Sequence, residues 1–215
     1  MQKNKKAIIV ISSVFFAGLI IVFIISRSVN ALFLIAEGLD RPSRAYYILM
    51  ERIYRLSSNK KIADEIWGYI ENNKNAHLHN LYIHVLGITN ADIPTGSLIK
   101  LYSQCQHDMN RRSTVSKIID AMGLLGNERF VPFLETLLRD HDKLQVQATK
   151  YAIVRSLYLI TGNRYAYIND LGKETRLQVS EELSEARNVI ADTKGRSRNI
   201  REMLVLDRLY RPPGW

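Results

Sequence analysis

Three histidines fall within the eight residues HLHNLYIH, at positions 77, 79 and 84. On a helix, His77 and His84 share a face because seven residues make nearly two turns, whereas His79 points elsewhere. A zinc site needs three or four converging ligands, and this pattern offers one pair, with no HExxH motif and no carboxylate at ligand spacing. We therefore expect surface or interface histidines, and no metal or cofactor. The alternative is a metal-dependent hydrolase that adds acidic residues to His77 and His84.

The sequence also lacks the usual nucleophile motifs. It contains no GxSxG and no glycine-rich phosphate loop. Cys105 is the single cysteine, so no intramolecular disulfide can form, and it is expected to be a small buried residue in a helix. Asp140 and Asp142 suit a turn that supplies acceptors to the next helix. These observations predict a protein that is not an enzyme, with no catalytic residues.

Basic residues are the remaining candidates for a binding surface. The net charge is +9, and it is spread along the chain. One patch combines Arg111, Arg112 and Lys117; a second follows residue 193 and lacks the interleaved aromatics that stack on nucleic acid. We expect no nucleic-acid partner, and either a solvated surface or a site for an acidic protein or lipid headgroups. The candidate partner-binding residues are Arg111, Arg112, Lys117, Lys150 and Arg155. The second patch consists of Lys194, Arg196, Arg198 and Arg201.

The N-terminus predicts a membrane anchor. Residues 7–26, AIIVISSVFFAGLIIVFIIS, carry no charge, and a helix of that length spans about 30 Å, the thickness of the hydrocarbon core. Three lysines precede it and only Arg27 follows it closely, which places residues 1–6 in the cytoplasm and the rest in the periplasm or outside the cell. Residues 27–42 would then form a juxtamembrane segment near the interface. The alternative is a cleaved signal peptide ending near residues 29–31.

The remaining chain reads as all-α. Apolar residues recur at helical spacing from Ser43 onward, and no stretch shows sustained period-two alternation. We expect a helical repeat domain at 43–170 and C-terminal helices with a basic tail at 171–215. Within this region RYAYINDLGKETR is expected to be irregular, and LQVSEELSEARNVIAD is expected to be a helix that caps the end of the domain.

Similar glycine-containing sequences, which are expected to end helices, occur at Gly87, Gly126 and Gly162 and indicate a repeat. These glycines are 39 and 36 residues apart, and each is expected to end a helix. Periods of this size are typical of helical solenoids, in which each hairpin buries its apolar face against the next.

The central unit, GNERFVPFLETLLRD, resembles a HEAT repeat. The resemblance is specific over residues 121–144 and extends more loosely over 81–162. It implies an α-solenoid of helical hairpins with a concave surface lined by second helices, a surface that such families mostly use to bind proteins. It also implies a bend in the first helix at Pro132. The matching residues are Gly126, Pro132, Leu134, Leu137, Leu138 and Asp140.

The expected function is therefore a membrane-anchored protein-binding scaffold or adaptor on the outer face of the membrane. A narrower form is an immunity protein that neutralises an exported toxin. Besides the hydrolase, the other alternative is a basic nucleic-acid-binding solenoid in the cytoplasm, which would require the reverse topology.

Overall fold

The computed structural model describes residues 28–39, 43–107, 112–140, 147–169 and 171–210. The predicted anchor, residues 7–26, lies outside them. Within the described residues, no helix combines the length and the apolar character that crossing a bilayer requires.

The described part of the chain is mostly helical, as predicted. It contains ten α-helices, two short 3₁₀ helices and one β-hairpin. The α-helices are α1 (Val29–Gly38), α2 (Arg44–Ser57), α3 (Lys60–Glu71), α4 (His79–Ile88), α5 (Thr95–Cys105), α6 (Arg112–Leu125), α7 (Val131–Arg139), α8 (Gln147–Thr161), α9 (Glu181–Asp192) and α10 (Ile200–Arg208). The 3₁₀ helices are Ala76–Leu78 and Glu128–Phe130, and the strands are β1 (Ala166–Ile168) and β2 (Glu174–Arg176).

The hairpin corrects the expectation that RYAYINDLGKETR is irregular. β1 and β2 pair antiparallel, with Tyr167 opposite Thr175. The side chain of Asn169 accepts from the backbone amides of Leu171 and Lys173, at 2.9 and 3.0 Å. Gly172 adopts a φ of 71° in the same turn. Asn and Gly are turn residues, but they are separated here, so the two-residue hairpin signal is absent.

Six consecutive helices form three pairs, α3–α4, α5–α6 and α7–α8, and the second helices α4, α6 and α8 lie side by side. Small residues allow the close approach. A Cβ on Gly123 of α6 would lie 2.7 Å from the Cα of Ser156 on α8. A Cβ on Gly87 of α4 would lie 3.1 Å from the Cα of Ala121 on α6.

Two of the three repeat glycines end helices as predicted. Gly126 and Gly162 have φ values of 65° and 81°, in the left-handed region that glycine enters freely. Gly87 was predicted to do the same, and this was wrong. It lies inside α4, where it packs against α6, and Asn90 takes the left-handed conformation after the helix, with φ 56°.

Pro132 does not interrupt a helix. A 3₁₀ turn at Glu128–Phe130 precedes α7, and Pro132 is the second residue of α7. The first amides of a helix have no intrahelical acceptor, so the missing proline donor removes no hydrogen bond there. Pro132 therefore costs α7 no hydrogen bond, and the change from 3₁₀ to α geometry occurs immediately before the proline.

The C-terminal helices cover the second-helix layer. α9 packs against α8, and α10 packs against α2 and α4. Their starts are fixed by Ser180, which caps α9, and by Asn199 and Glu202, which form a reciprocal capping box on α10. α4 contacts α2, α3, α6 and α10, and eight of its ten residues are buried, so it is covered around most of its circumference.

Candidate functional site

A cluster of polar and aromatic side chains lies where the end of α10 meets α2, α4, α6 and α8. We call it the α10 cluster. Its members are Tyr54, His84, Lys117, Asp120, Arg155, Asp207 and Tyr210.

Asp207 is the acceptor at one end of the α10 cluster. The Tyr54 hydroxyl donates to its Oδ1 at 2.5 Å, and Nε2 of His84 lies 3.5 Å from the same oxygen. Nε2 of His84 is also 3.3 Å from the Tyr54 hydroxyl oxygen. The side chains of His84 and Asp207 are only 12% and 8% exposed. A buried carboxylate needs such donors, so this arrangement ties α10 to α2 and α4.

An ion pair forms the other end. Nη2 of Arg155 on α8 donates to Oδ1 of Asp120 on α6, and Nζ of Lys117 is 3.9 Å from the second carboxylate oxygen. The Tyr210 ring lies 5.0 Å from the Arg155 guanidinium and 5.2 Å from the Lys117 ammonium. These are cation–π distances, so Tyr210 packs on both cations.

Burial sets the protonation of this end. Burial raises the pKa of Tyr210 well above its ordinary value, so the hydroxyl stays neutral. Burial acts to lower the pKa of Arg155, but the ion pair and hydrogen bond with the Asp120 carboxylate outweigh it and the pKa is raised. Tyr210 thus stays neutral and Arg155 stays charged through the physiological range, and the ring of one packs on the guanidinium of the other. This arrangement suits a brace that holds α10 better than it suits a site with a reacting atom open to substrate.

The predicted partner-binding residues do not form one free surface. Lys117 and Arg155 meet in the α10 cluster, but Arg155 is only 15% exposed. Lys150 donates from Nζ to the backbone oxygen of Ile168 at 3.1 Å, which ties α8 to the hairpin. Arg112 is the first residue of α6, and Arg111 lies outside the described residues.

The three histidines take separate partners. Nε2 of His77 is 3.1 Å from a carboxylate oxygen of Glu37 on α1. His79 is buried, with Nε2 3.2 Å from the backbone oxygen of Lys74, and His84 belongs to the α10 cluster. Across the described ranges, no group of three or more His, Cys, Asp or Glu side chains is arranged to hold a metal. Cys105 is buried at the end of α5.

Three of the four side chains in the second basic patch bind other groups of this chain. Arg198 is 3% exposed, and burial lowers its pKa from 12.5 to about 10. Its guanidinium donates to the backbone oxygens of Gly87 at 2.8 Å, Ile88 at 3.2 Å and Leu124 at 2.6 Å. It also donates to Oγ1 of Thr193 at 2.9 Å. The expectation of an exposed basic patch was wrong at Arg198, which binds the C-terminal ends of α4 and α6.

Two neighbours of Arg198 are paired at the surface. Arg196 makes two hydrogen bonds to the Glu202 carboxylate, at 2.6 and 3.0 Å, and this lowers the pKa of Glu202. Lys194 donates to Glu128 at 2.6 Å, and this lowers the pKa of Glu128. These pairs bring acidic charge into the patch and weaken its attraction for anions.

An open groove runs along the edge where the turns between hairpins meet the linker before α10. We call it the turn groove. It consists of two adjoining cavities of about 330 and 480 Å³, which share Asn90, Ala91, Asp92, Ile93 and Ser197. The first is also lined by Ser57, Ser58, Lys60, Ala63, Asp64, Trp67, Thr89 and Pro94, and the second by Leu125, Gly126, Asn127, Phe130, Lys194, Gly195 and Arg196.

The turn groove is lined by apolar side chains, by polar groups, and by charged side chains of both signs. Trp67 and Ile93 are partly buried against the core and supply apolar surface. Lys60 and Asp92 are strongly exposed, and Nζ of Lys60 lies 3.7 Å from Oδ2 of Asp92. The Asn90 amide donates to the backbone oxygens of Thr193 and Arg196, at 3.3 and 2.8 Å, which fixes the linker beside the turn. The turn residues line the groove together with the linker, whose position beside them no local sequence pattern predicts.

No family model, no curated protein and no solved structure matches this chain. The similarity of residues 121–144 to a HEAT repeat therefore stays a prediction.

Proposed function

We propose that this protein is a membrane-anchored, non-enzymatic module that binds another protein through the turn groove. Residues 7–26 are the anchor, with residues 1–6 in the cytoplasm and the helical domain on the outer face. The three helical hairpins form a short HEAT-like α-solenoid, closed on its second-helix side by α9 and α10. The partner surface is thus the edge of the stack, in place of the basic residues that the sequence first suggested.

The turn groove is the observation that carries this proposal. Its walls come from three successive turns and from the linker, so an occupant would contact several hairpins at once. Trp67 and Ile93 offer apolar anchor points, while paired charges and turn polar groups surround them, which is the anatomy of a protein-binding surface. A nucleic-acid groove would carry basic charge of one sign, whereas Asp64 and Asp92 lie in this one. The favoured occupant is an extended polypeptide segment.

A narrower form of the proposal is an immunity protein. A small anchored domain that contributes no chemistry of its own would neutralise an exported toxin by covering it. In that case a toxin gene lies beside the gene for this chain, and producing the chain protects cells from that toxin. Absence of protection against the neighbouring product would leave the adaptor role as the proposal.

Site-specific photo-crosslinking in intact cells tests the surface. A photoreactive amino acid would replace Asp64 or Asp92 in the turn groove, and Lys100 or Asn188 as exposed controls on α5 and α9. We expect one discrete protein adduct from both groove positions and none from the controls. Equal adducts from all four positions, or none from the groove, would reject the groove as the binding surface.

Topology is tested separately. A reporter that is active only outside the cytoplasm would be fused after Trp215. We expect activity from the fusion. An inactive but stably produced fusion would reverse the orientation and reopen the nucleic-acid alternative.

A further inference from the structure

Helix α1 is apolar on both of its sides. Its inner side is buried, yet Leu34 and Ile35 on the outer side are 46% and 44% exposed. Its one charged side chain, Glu37, lies 3.1 Å from His77. A helix that is apolar all round is normally covered all round. The inner residues are Val29, Leu32, Phe33 and Ala36.

The position of α1 in the chain indicates what covers the outer side. The uncharged segment 7–26 ends at Ser26, and α1 begins at Val29 after its cap Ser28. Three residues of extended chain reach about 10 Å. If residues 7–26 span the bilayer, as in the proposed function on which this inference rests, α1 must lie at the membrane surface.

The neighbouring helix fits the same environment. α2 packs against α1 and exposes Ile48 by 61%. Arg44 and Arg52 are exposed one turn before and after Ile48. Apolar side chains flanked by arginines are typical of helices that lie in the boundary between acyl chains and anionic headgroups.

We propose that the outer face of α1, centred on Leu34 and Ile35, docks on the lipid surface next to the anchor. The helical domain is then held against the bilayer by its own side chains as well as by residues 7–26, with α1 parallel to the membrane plane. Two alternatives would also exclude water from this face: the segment 7–26 could pack back onto α1, or a second copy of the chain could bind there.

Fluorescence quenching in vesicles distinguishes these covers. In a Cys105→Ala background, Leu34→Cys gives a labelling site on α1, and Leu171→Cys gives a matched control at a leucine that is 80% exposed on the hairpin. The full chain would be labelled and placed in vesicles of phosphatidylcholine and phosphatidylglycerol. We expect brominated acyl chains to quench the probe at position 34, and aqueous iodide to quench it several-fold less than the probe at position 171.

Each other outcome overturns the inference in a distinguishable way. If iodide reaches both positions equally while the chain resists carbonate extraction, α1 does not dock although the anchor holds. If position 34 is shielded from both quenchers, protein covers α1. If carbonate releases the chain from the vesicles, the anchor itself fails, and the docking inference fails with it.

Discussion

Arg198 is a buried cation whose loss we expect to destabilise the protein. It is 3% exposed and donates to three backbone oxygens, those of Gly87, Ile88 and Leu124. These oxygens lie in the last turns of α4 and α6, where carbonyls have no intrahelical donor. The positive charge of Arg198 is also attracted to the negative C-terminal ends of the two helix dipoles.

Arg198→Met keeps most of the buried volume and removes every donor. Leaving a buried acceptor unsatisfied costs about 1 kcal/mol or more. The Gly87 oxygen keeps the backbone amide of Asn90 as a donor at 3.3 Å, so loss of the donor to the Ile88 and Leu124 carbonyls gives about 2 kcal/mol. Burying the charged guanidinium itself costs free energy, as its pKa of about 10 shows. Arg198→Met removes this cost, which limits the loss of stability. For a domain of this size, about 2 kcal/mol lowers the melting temperature by roughly 4 to 8 °C.

The assay is unfolding of the full chain in detergent by denaturant and by heat, with circular dichroism as the signal. Arg201→Met is the matched control, because Arg201 is exposed on the same short stretch. We expect the control to change the unfolding free energy by less than about 0.5 kcal/mol. If the two variants unfold at the same midpoint, the carbonyl contacts of Arg198 do not stabilise the ends of α4 and α6, and the reasoning fails.

Three further predictions address packing, the α10 cluster and pH. Gly123→Ala should destabilise the protein because the new methyl meets the α8 backbone at 2.7 Å, whereas Gly68→Ala, which meets open space, should stabilise it by about 0.5–1 kcal/mol; equal unfolding midpoints would contradict the close approach. Tyr54→Phe should lower the unfolding free energy by about 1–3 kcal/mol by removing the donor to Asp207, and a loss below about 0.5 kcal/mol in urea titration would show that this bond does not hold α10. The pKa of Glu202 is lowered from 4.5 in the folded state, so its stabilising contribution is present above pH 4.5 and is lost as the pH falls through the folded pKa. Glu202→Gln should therefore make acid destabilisation shallower, and identical pH profiles of the two proteins would contradict this.

Local signals in the sequence predicted the helical fold well. Helical spacing, the helix start at Ser43, and the left-handed positions Gly126 and Gly162 all depend on residues a few positions apart. Gly87 shows the limit of such signals. It has the same local context as the other two glycines, but contact with α6 decides its role.

The candidate sites depended on contacts that no local pattern contains. Arg198 and Arg201 lie in one basic stretch, and only the path of the linker turns one inward and leaves the other in solvent. Lys117 and Arg155 were predicted to be partner-binding residues, but Tyr210, which lies against both, follows the last helix. The contact of Tyr210 with these two cations therefore depends on how a distant helix returns to them.

The return of α10 also limits how this array could have changed in length. Helical-repeat proteins commonly lengthen by duplication of a unit, because each unit contacts only its neighbours. Here Tyr54 and Asp207 are hydrogen-bonded across a separation of 153 residues, and Tyr210 reaches Lys117 and Arg155 beyond them. One more hairpin between α2 and α8 would move these partners apart by the width of a helix. The number of hairpins and the position of the last helix are thus coupled, so a duplication would succeed only with a matching change at the C-terminus.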